Sequence, residues 1–139
     1  MVATAPQVNA VVKLGFTAGQ VVLELGYGDD VEDELREAVE NVIDADLEDE
    51  EYGDVVDAVL LWWREGDGDL TDALVDAKAT LEDQGFVALF TPKVGLPAEV
   101  DPSDVAEAAE TAGLHASVSV NLTPRWSGTR LVAPKTGRR

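Results

Sequence analysis

Apolar positions in this chain follow two patterns, short runs and stripes at helical spacing. Their order predicts a doubly wound α/β sheet. Val21, Val22, Leu23 and Leu25 make the first run, which suits a strand over Gln20–Leu25 buried on both faces. Gly19 marks the turn before it. Val31–Val42 reads as a helix with Leu35, Val39 and Val42 on one face, and Asp29 or Asp30 is placed to cap it or fill its first turn. Val55–Trp63 is the second strand, and Leu70, Leu74, Ala77 and Leu81 define the next helix, with Asp69 as its cap and Gly85 as its stop. Phe86–Phe90 is the third strand. Thr91-Pro92-Lys93 then leaves the sheet, because proline cannot continue a central ladder.

The rest of the chain completes the layout. Pro102-Ser103-Asp104 opens a helix that runs to about Ala112 and ends at Gly113. Leu114–Leu122 and Gly128–Ala133, joined by Thr123–Ser127, are close enough in sequence to be antiparallel neighbours or nearly so. Val8–Leu14 reads as a short helix closed by Gly15, with residues 1–7 and 136–139 expected to be disordered tails. The expected fold is therefore a single three-layer α/β domain with a reduced Rossmann-like sheet of about five strands. Gln20–Leu25 lies beside Val55–Trp63, then Phe86–Phe90, then an antiparallel hairpin. Only Val42-Ile43 offers a strand between the first helix and Val55, so that strand is expected to be short or missing.

Composition narrows the chemistry. The chain has no cysteine and a single histidine, His115. Thiolate catalysis, disulfides, cysteine-based metal sites and multi-histidine sites are thereby removed, and His115 reads as structural. No apolar run approaches the roughly 18 residues of a membrane span. The first residues lack the layout of a signal peptide, so a cytoplasmic protein is expected. The formal net charge is −18, and no acidic residue follows Glu110. Arg125, Arg130, Lys135, Arg138 and Arg139 make the carboxyl-terminal segment basic. An acidic body opposes binding to nucleic acid and suits solubility or the docking of a basic protein. The stretch Asp44–Asp54 is acidic enough to be a solvated loop.

Lys13-Leu14-Gly15, Thr17-Ala18-Gly19-Gln20, the central LLWWREGDGDL and FTPK, and the closing WSGTRLV occur here in order. Together they resemble a small uncharacterised bacterial family, prominent in actinobacteria and classed as a domain of unknown function. The resemblance spans about Lys13 to Lys135 and implies no assigned activity. More distantly, the strand order and GQVVLELGYG resemble class I S-adenosylmethionine-dependent methyltransferases, which also end in an antiparallel hairpin. That likeness implies a methyltransferase-like fold. It also places Glu24, Gly26, Tyr27 and Gly28 in the cofactor loop, with Asp44 or Asp46 at the ribose hydroxyls.

The residues themselves argue against an intact cofactor site. Asp30 stands where a third glycine would complete the loop, and Arg64-Glu65-Gly66 follows the second strand without an acceptor-polarising motif. Lys93, beyond the carboxyl end of a central strand, suits a carboxylate or phosphate in the crevice of an open α/β sheet. Trp63 and Trp126 are candidates for a partner surface, and Trp62 and Trp63 must point to opposite faces of their strand. The expected function is a non-enzymatic or regulatory protein on a degenerate methyltransferase-like scaffold, binding a protein partner or a small anionic ligand. S-adenosylmethionine is disfavoured, and a methyltransferase or nucleotide-binding enzyme is the alternative.

Overall fold

Five strands in the order β1-β2-β3-β5-β4 form the sheet of the computed structural model, which describes residues 5–133. The strands are β1 (Val22–Leu25), β2 (Val56–Trp62), β3 (Leu81–Pro92), β4 (His115–Asn121) and β5 (Trp126–Val132). The helices are α1 (Ala5–Leu14), α2 (Asp33–Ile43), α3 (Leu70–Ala79) and α4 (Pro102–Thr111). β1, β2 and β3 are parallel, and β5 runs antiparallel to both β3 and β4. The order matches the one read from the apolar runs. Residues 1–4 and 134–139, and with them Lys135, Arg138 and Arg139, lie outside the described part.

Two apolar layers sandwich the sheet. On one side α1 and α2 bring Val11, Leu14, Leu35 and Val39 against Phe16, Trp62, Phe86 and Phe90. On the other, α3 and α4 bring Leu74, Ala77, Val105 and Ala109 against Val59, Leu61, Leu89 and Leu131. The central strands touch both layers, which is why they read as mostly apolar runs rather than alternations.

Several boundaries differ from expectation, each for a local reason. α1 begins at Ala5, inside the stretch expected to be disordered. α2 starts after Glu32, whose side chain makes no capping bond, so neither Asp29 nor Asp30 caps it. α3 ends at Thr80, where the hydroxyl turns back onto the carbonyl of Ala77. Leu81 therefore belongs to β3, beside Val56, and an irregularity containing Gln84 at φ 69° brings Phe86 beside Ala58. Pro92 ends β3 as a partner of Trp126 rather than leaving the sheet. It does so without harm, because the β2 ladder has already stopped at Trp62 and Phe90. The missing strand survives as one parallel bridge between Leu23 and Glu48. Val42 and Ile43 remain helical.

A buried carboxylate ties the glycine end of β1 to its neighbours. Glu24 accepts Arg36 Nε at 2.7 Å and Arg36 Nη2 at 2.8 Å, and Trp62 Nε1 at 2.9 Å. One side chain thus joins β1, α2 and β2. Directly beyond it, Gly26 adopts φ +79°, and a Cβ there would stand 2.2 Å from the carbonyl oxygen of Trp62. β1 and β2 can approach this closely only without a side chain at that position.

Two outcomes follow from this packing. Gly26→Ala is expected to cost about 2–4 kcal/mol, from overlap added to backbone strain, whereas Gly19→Ala should cost only about 1 kcal/mol. Gly19 shares the positive φ but has no atom within 4 Å of the added Cβ. Equal costs in urea denaturation would remove the close-approach argument. Arg36→Ala should cost about 3 kcal/mol by leaving Glu24 buried against one indole N–H. Glu24→Gln keeps an acceptor for Trp62, frees a partly exposed arginine, and should cost about 1–2 kcal/mol. The reverse order in the same denaturation series would show that the buried charge is not what needs compensating.

Candidate functional site

The loops at the carboxyl end of the parallel strands meet where open α/β sheets form their crevice. The glycine loop after β1 supplies Gly26, Tyr27 and Gly28, and the segment after β2 supplies Trp63 and Arg64. Lys93 follows β3, and Arg125 precedes β5. Glycines at 26 and 28 leave the backbone of the first loop bare, so a charged group can come close to it.

The group that does so is Arg64. Its Nη1 donates to the carbonyl oxygen of Gly26 at 2.6 Å and to that of Trp62 at 3.4 Å. Nε donates to Asp30 Oδ2 at 2.9 Å, and Nη2 donates to Asp30 Oδ1, so the carboxylate and guanidinium meet as a two-pronged pair. Asp67 Oδ2 lies 3.4 Å from Nη1 and also accepts the backbone N–H of Arg64 at 3.0 Å. The guanidinium stands 5.6 Å from the centre of the Trp126 ring. A Cβ on Gly28 would lie 3.2 Å from Nη2, so this glycine makes room for the arginine. The carboxyl of Asp30 is held below the usual aspartate range, chiefly by its hydrogen bonds from Arg64, and Arg64 is raised in turn by the same bonds.

A shallow depression of about 430 Å³ opens beside this pair, lined by Asp29, Asp30, Val31, Glu32 and Arg125. Glu32 accepts the hydroxyl of Thr123 at 2.7 Å, which fastens the start of α2 to the β4–β5 turn. Arg125 is exposed, and its carbonyl accepts the backbone N–H of Lys93 at 3.0 Å. Neither Lys93 nor Arg125 forms an ion pair among the described residues.

The structure brings Gly26, Tyr27, Gly28 and Lys93 to one end of the sheet, but it separates Asp44 and Asp46 from them. Asp44 is the left-handed cap of α2, and the preceding Ile43 carbonyl accepts Gly19 N–H at the start of β1. Both aspartates therefore lie at the amino end of the sheet. The chain must run forward through the Glu48 bridge before it reaches the other end. Tyr27 is exposed and carries Arg36 against its ring, 5.0 Å from the centre. Trp63 is half-buried, as a rim position requires.

Trp126 is not a surface anchor. It is 2% exposed and packs edge-on against Trp62, with ring centres 4.9 Å apart. The turn draws it inward because Thr123 Oγ1 accepts its backbone N–H at 3.1 Å. Ser127 and Gly128 accordingly belong to β5, and Leu14 and Leu122 close over Gly128. His115 starts β4 and is exposed. The residues that sequence reasoning undervalued are Arg64, Asp67 and Arg125. One sign was available: few basic residues occur in an acidic chain, and Arg64 follows a core strand directly.

Comparison with known proteins fits this picture. The chain is 48% identical over 124 residues to uncharacterized proteins of Mycobacterium tuberculosis and Mycobacterium bovis, covering 89% of this chain and 78% of each relative. A SAM dependent methyltransferase from Aquifex aeolicus superposes with a TM-score of 0.62 at 16% identity, covering 93% of this chain and 90% of the other. The CcbJ methyltransferase from Streptomyces caelestis gives 0.61 at 12% identity, with 94% and 90% covered. At such identities the likeness speaks for a Rossmann-like, methyltransferase-like fold alone. Over residues 11–135 the sequence matches the family described as protein of unknown function (DUF3052), and the chain belongs to that family.

Proposed function

We propose that this protein is a non-enzymatic binding or regulatory protein on a methyltransferase-like scaffold, and that it takes a protein partner at the carboxyl end of its sheet. One observation carries the reading. The space in front of the glycine loop, where a cofactor would meet bare backbone, holds the guanidinium of Arg64 in bonds to Gly26, Trp62, Asp30 and Asp67. Arg64 and its partner Asp30 crowd that backbone, which speaks against S-adenosylmethionine. Catalytic equipment is also sparse. Among the described residues no three metal-ligating side chains converge, and His115 stands far along the chain from the loop on an exposed strand. Lys93 and Arg125, adjacent through a backbone hydrogen bond, support a small anion as a second reading.

The direct test is thermal unfolding with S-adenosylmethionine, its demethylated product, inorganic phosphate and small dicarboxylates. The first two are expected to leave the melting temperature unchanged. A ligand present at 100 times its dissociation constant would add about 2.7 kcal/mol, and a shift of that size with S-adenosylmethionine would restore the enzyme reading. A shift with phosphate or a dicarboxylate that Lys93→Ala abolishes would favour the anion site.

The Arg64–Asp30 pair has a pH signature. Asp30 titrates below its unfolded value when folded, so its contribution to stability is present above the ordinary aspartate range and is lost as the pH falls through the folded value. Wild type should be more stable than Asp30→Asn at neutral pH, and the gap should close below about pH 4. A gap that stays constant from neutral pH to acid would mean that Asp30 acts without its charge.

A further inference from the structure

We infer that the crevice at the glycine loop is a receptor for a guanidinium group, and that its outside ligand is an arginine on a basic segment of a partner protein, which exchanges with Arg64. This rests on the non-enzymatic reading above and adds the chemistry of the partner.

The polar groups bonded to Arg64 at this crevice are all acceptors: the carbonyls of Gly26 and Trp62 and the carboxylates of Asp30 and Asp67. The face of Trp126 completes the surround. A phosphate or carboxylate would meet like charge here, whereas a planar cation with several donors can bond both oxygens of Asp30 and the two carbonyls. Lysine matches it poorly, because a point charge cannot bond both oxygens of Asp30 in parallel and two carbonyls besides.

An approach route and a means of release are both present. The Asp30 side chain is 42% exposed, against 14% for Arg64, and it lines the open depression with the carboxylates of Asp29 and Glu32, which outnumber the one cation there, Arg125. A basic segment lying in that depression would meet these carboxylates first, under the field of a chain of net charge −18. Arg64 itself sits on a strap containing Gly66 at φ +100° and Gly68 at φ +129°, with nothing within 4 Å of a Cβ at Gly66. Asp67 on the same strap already touches its guanidinium, so an expelled Arg64 keeps a carboxylate partner. The incoming arginine reproduces the bonds that the outgoing one gives up. Selectivity for the partner then comes from the flanking contacts to Asp29 and Glu32.

Two short peptides of equal charge, one carrying arginines and the other lysines, test the inference on the full chain by calorimetry and by the NMR signal of Arg64 Nε–H. The arginine peptide should bind wild type about tenfold more tightly than the lysine peptide, and it should shift the Arg64 signal. Arg64→Ala should bind the arginine peptide more tightly than wild type does, and Asp30→Asn should lose the preference for arginine. Should Arg64→Ala fail to fold, the wild-type comparison and the Arg64 signal decide alone. Equal affinity for the two peptides, or an Arg64 signal that does not move, would overturn the inference. Running S-adenosylmethionine on the same samples separates the two readings. Its binding would sink the non-enzymatic proposal, while its absence together with equal peptide affinities would sink only this one.

Discussion

A carboxylate cannot be buried in an apolar layer unless it is met by charge and donors, and Glu24 imposes that condition on everything around it. The side chain lies where β1 ends and the glycine loop begins. Its two oxygens draw Arg36 down from α2 and the indole of Trp62 across from β2. That bond set ties α2 and Trp62 to the end of β1. Trp62 then sets the positions of Phe90 and Trp126, which meet it edge-on at 5.0 and 4.9 Å.

Arg64 answers the opposite problem. The carbonyls of Gly26 and Trp62 present acceptors at the mouth of the crevice. A ligand's cationic group could satisfy them, and here a side chain of the protein does. Asp30, standing in the place of a third glycine, is the counter-charge that makes an arginine stable there. The departure from the glycine pattern and the arginine after β2 are thus two halves of one device, which neither residue reveals alone.

The charge distribution separates the molecule into two kinds of surface. Carboxylates ring the carboxyl end of the sheet through Asp29, Glu32, Glu65 and Asp69, while the β4–β5 hairpin carries none. Arg130 spends its charge internally, over the ring of Phe86 at 4.9 Å. The closing WSGTR run is accordingly a packing motif: Trp126 fills the core, Gly128 admits Leu14 and Leu122, and Arg130 covers Phe86.

The sequence by itself determined the layering, the strand order and the side of the sheet on which a site would lie. Apolar runs at Val21–Leu25, Val55–Trp63 and Phe86–Phe90, interrupted only by Glu24 and Asp57, suit strands covered on both faces, and the short Thr123–Ser127 link suits antiparallel neighbours. Boundaries were legible only to within a few residues. Whether Leu81 ends a helix or starts a strand depends on the backbone of β2, which pairs with it from 25 positions away in the chain. The site itself was a tertiary decision. Gly26 and Gly28 announce an exposed backbone, but what meets it is set by Arg64, whose partner Asp30 lies 34 residues away. Asp44 and Asp46 sit at a plausible spacing yet at the wrong end of the sheet, since spacing along a chain does not say which way the chain is running. Trp126 has the composition of a surface anchor and the position of a core residue, because the Thr123 hydroxyl and the Trp62 ring turn it inward. Local pattern encodes burial and period, whereas the pairing of distant charges appears only once the sheet has brought them within bonding distance.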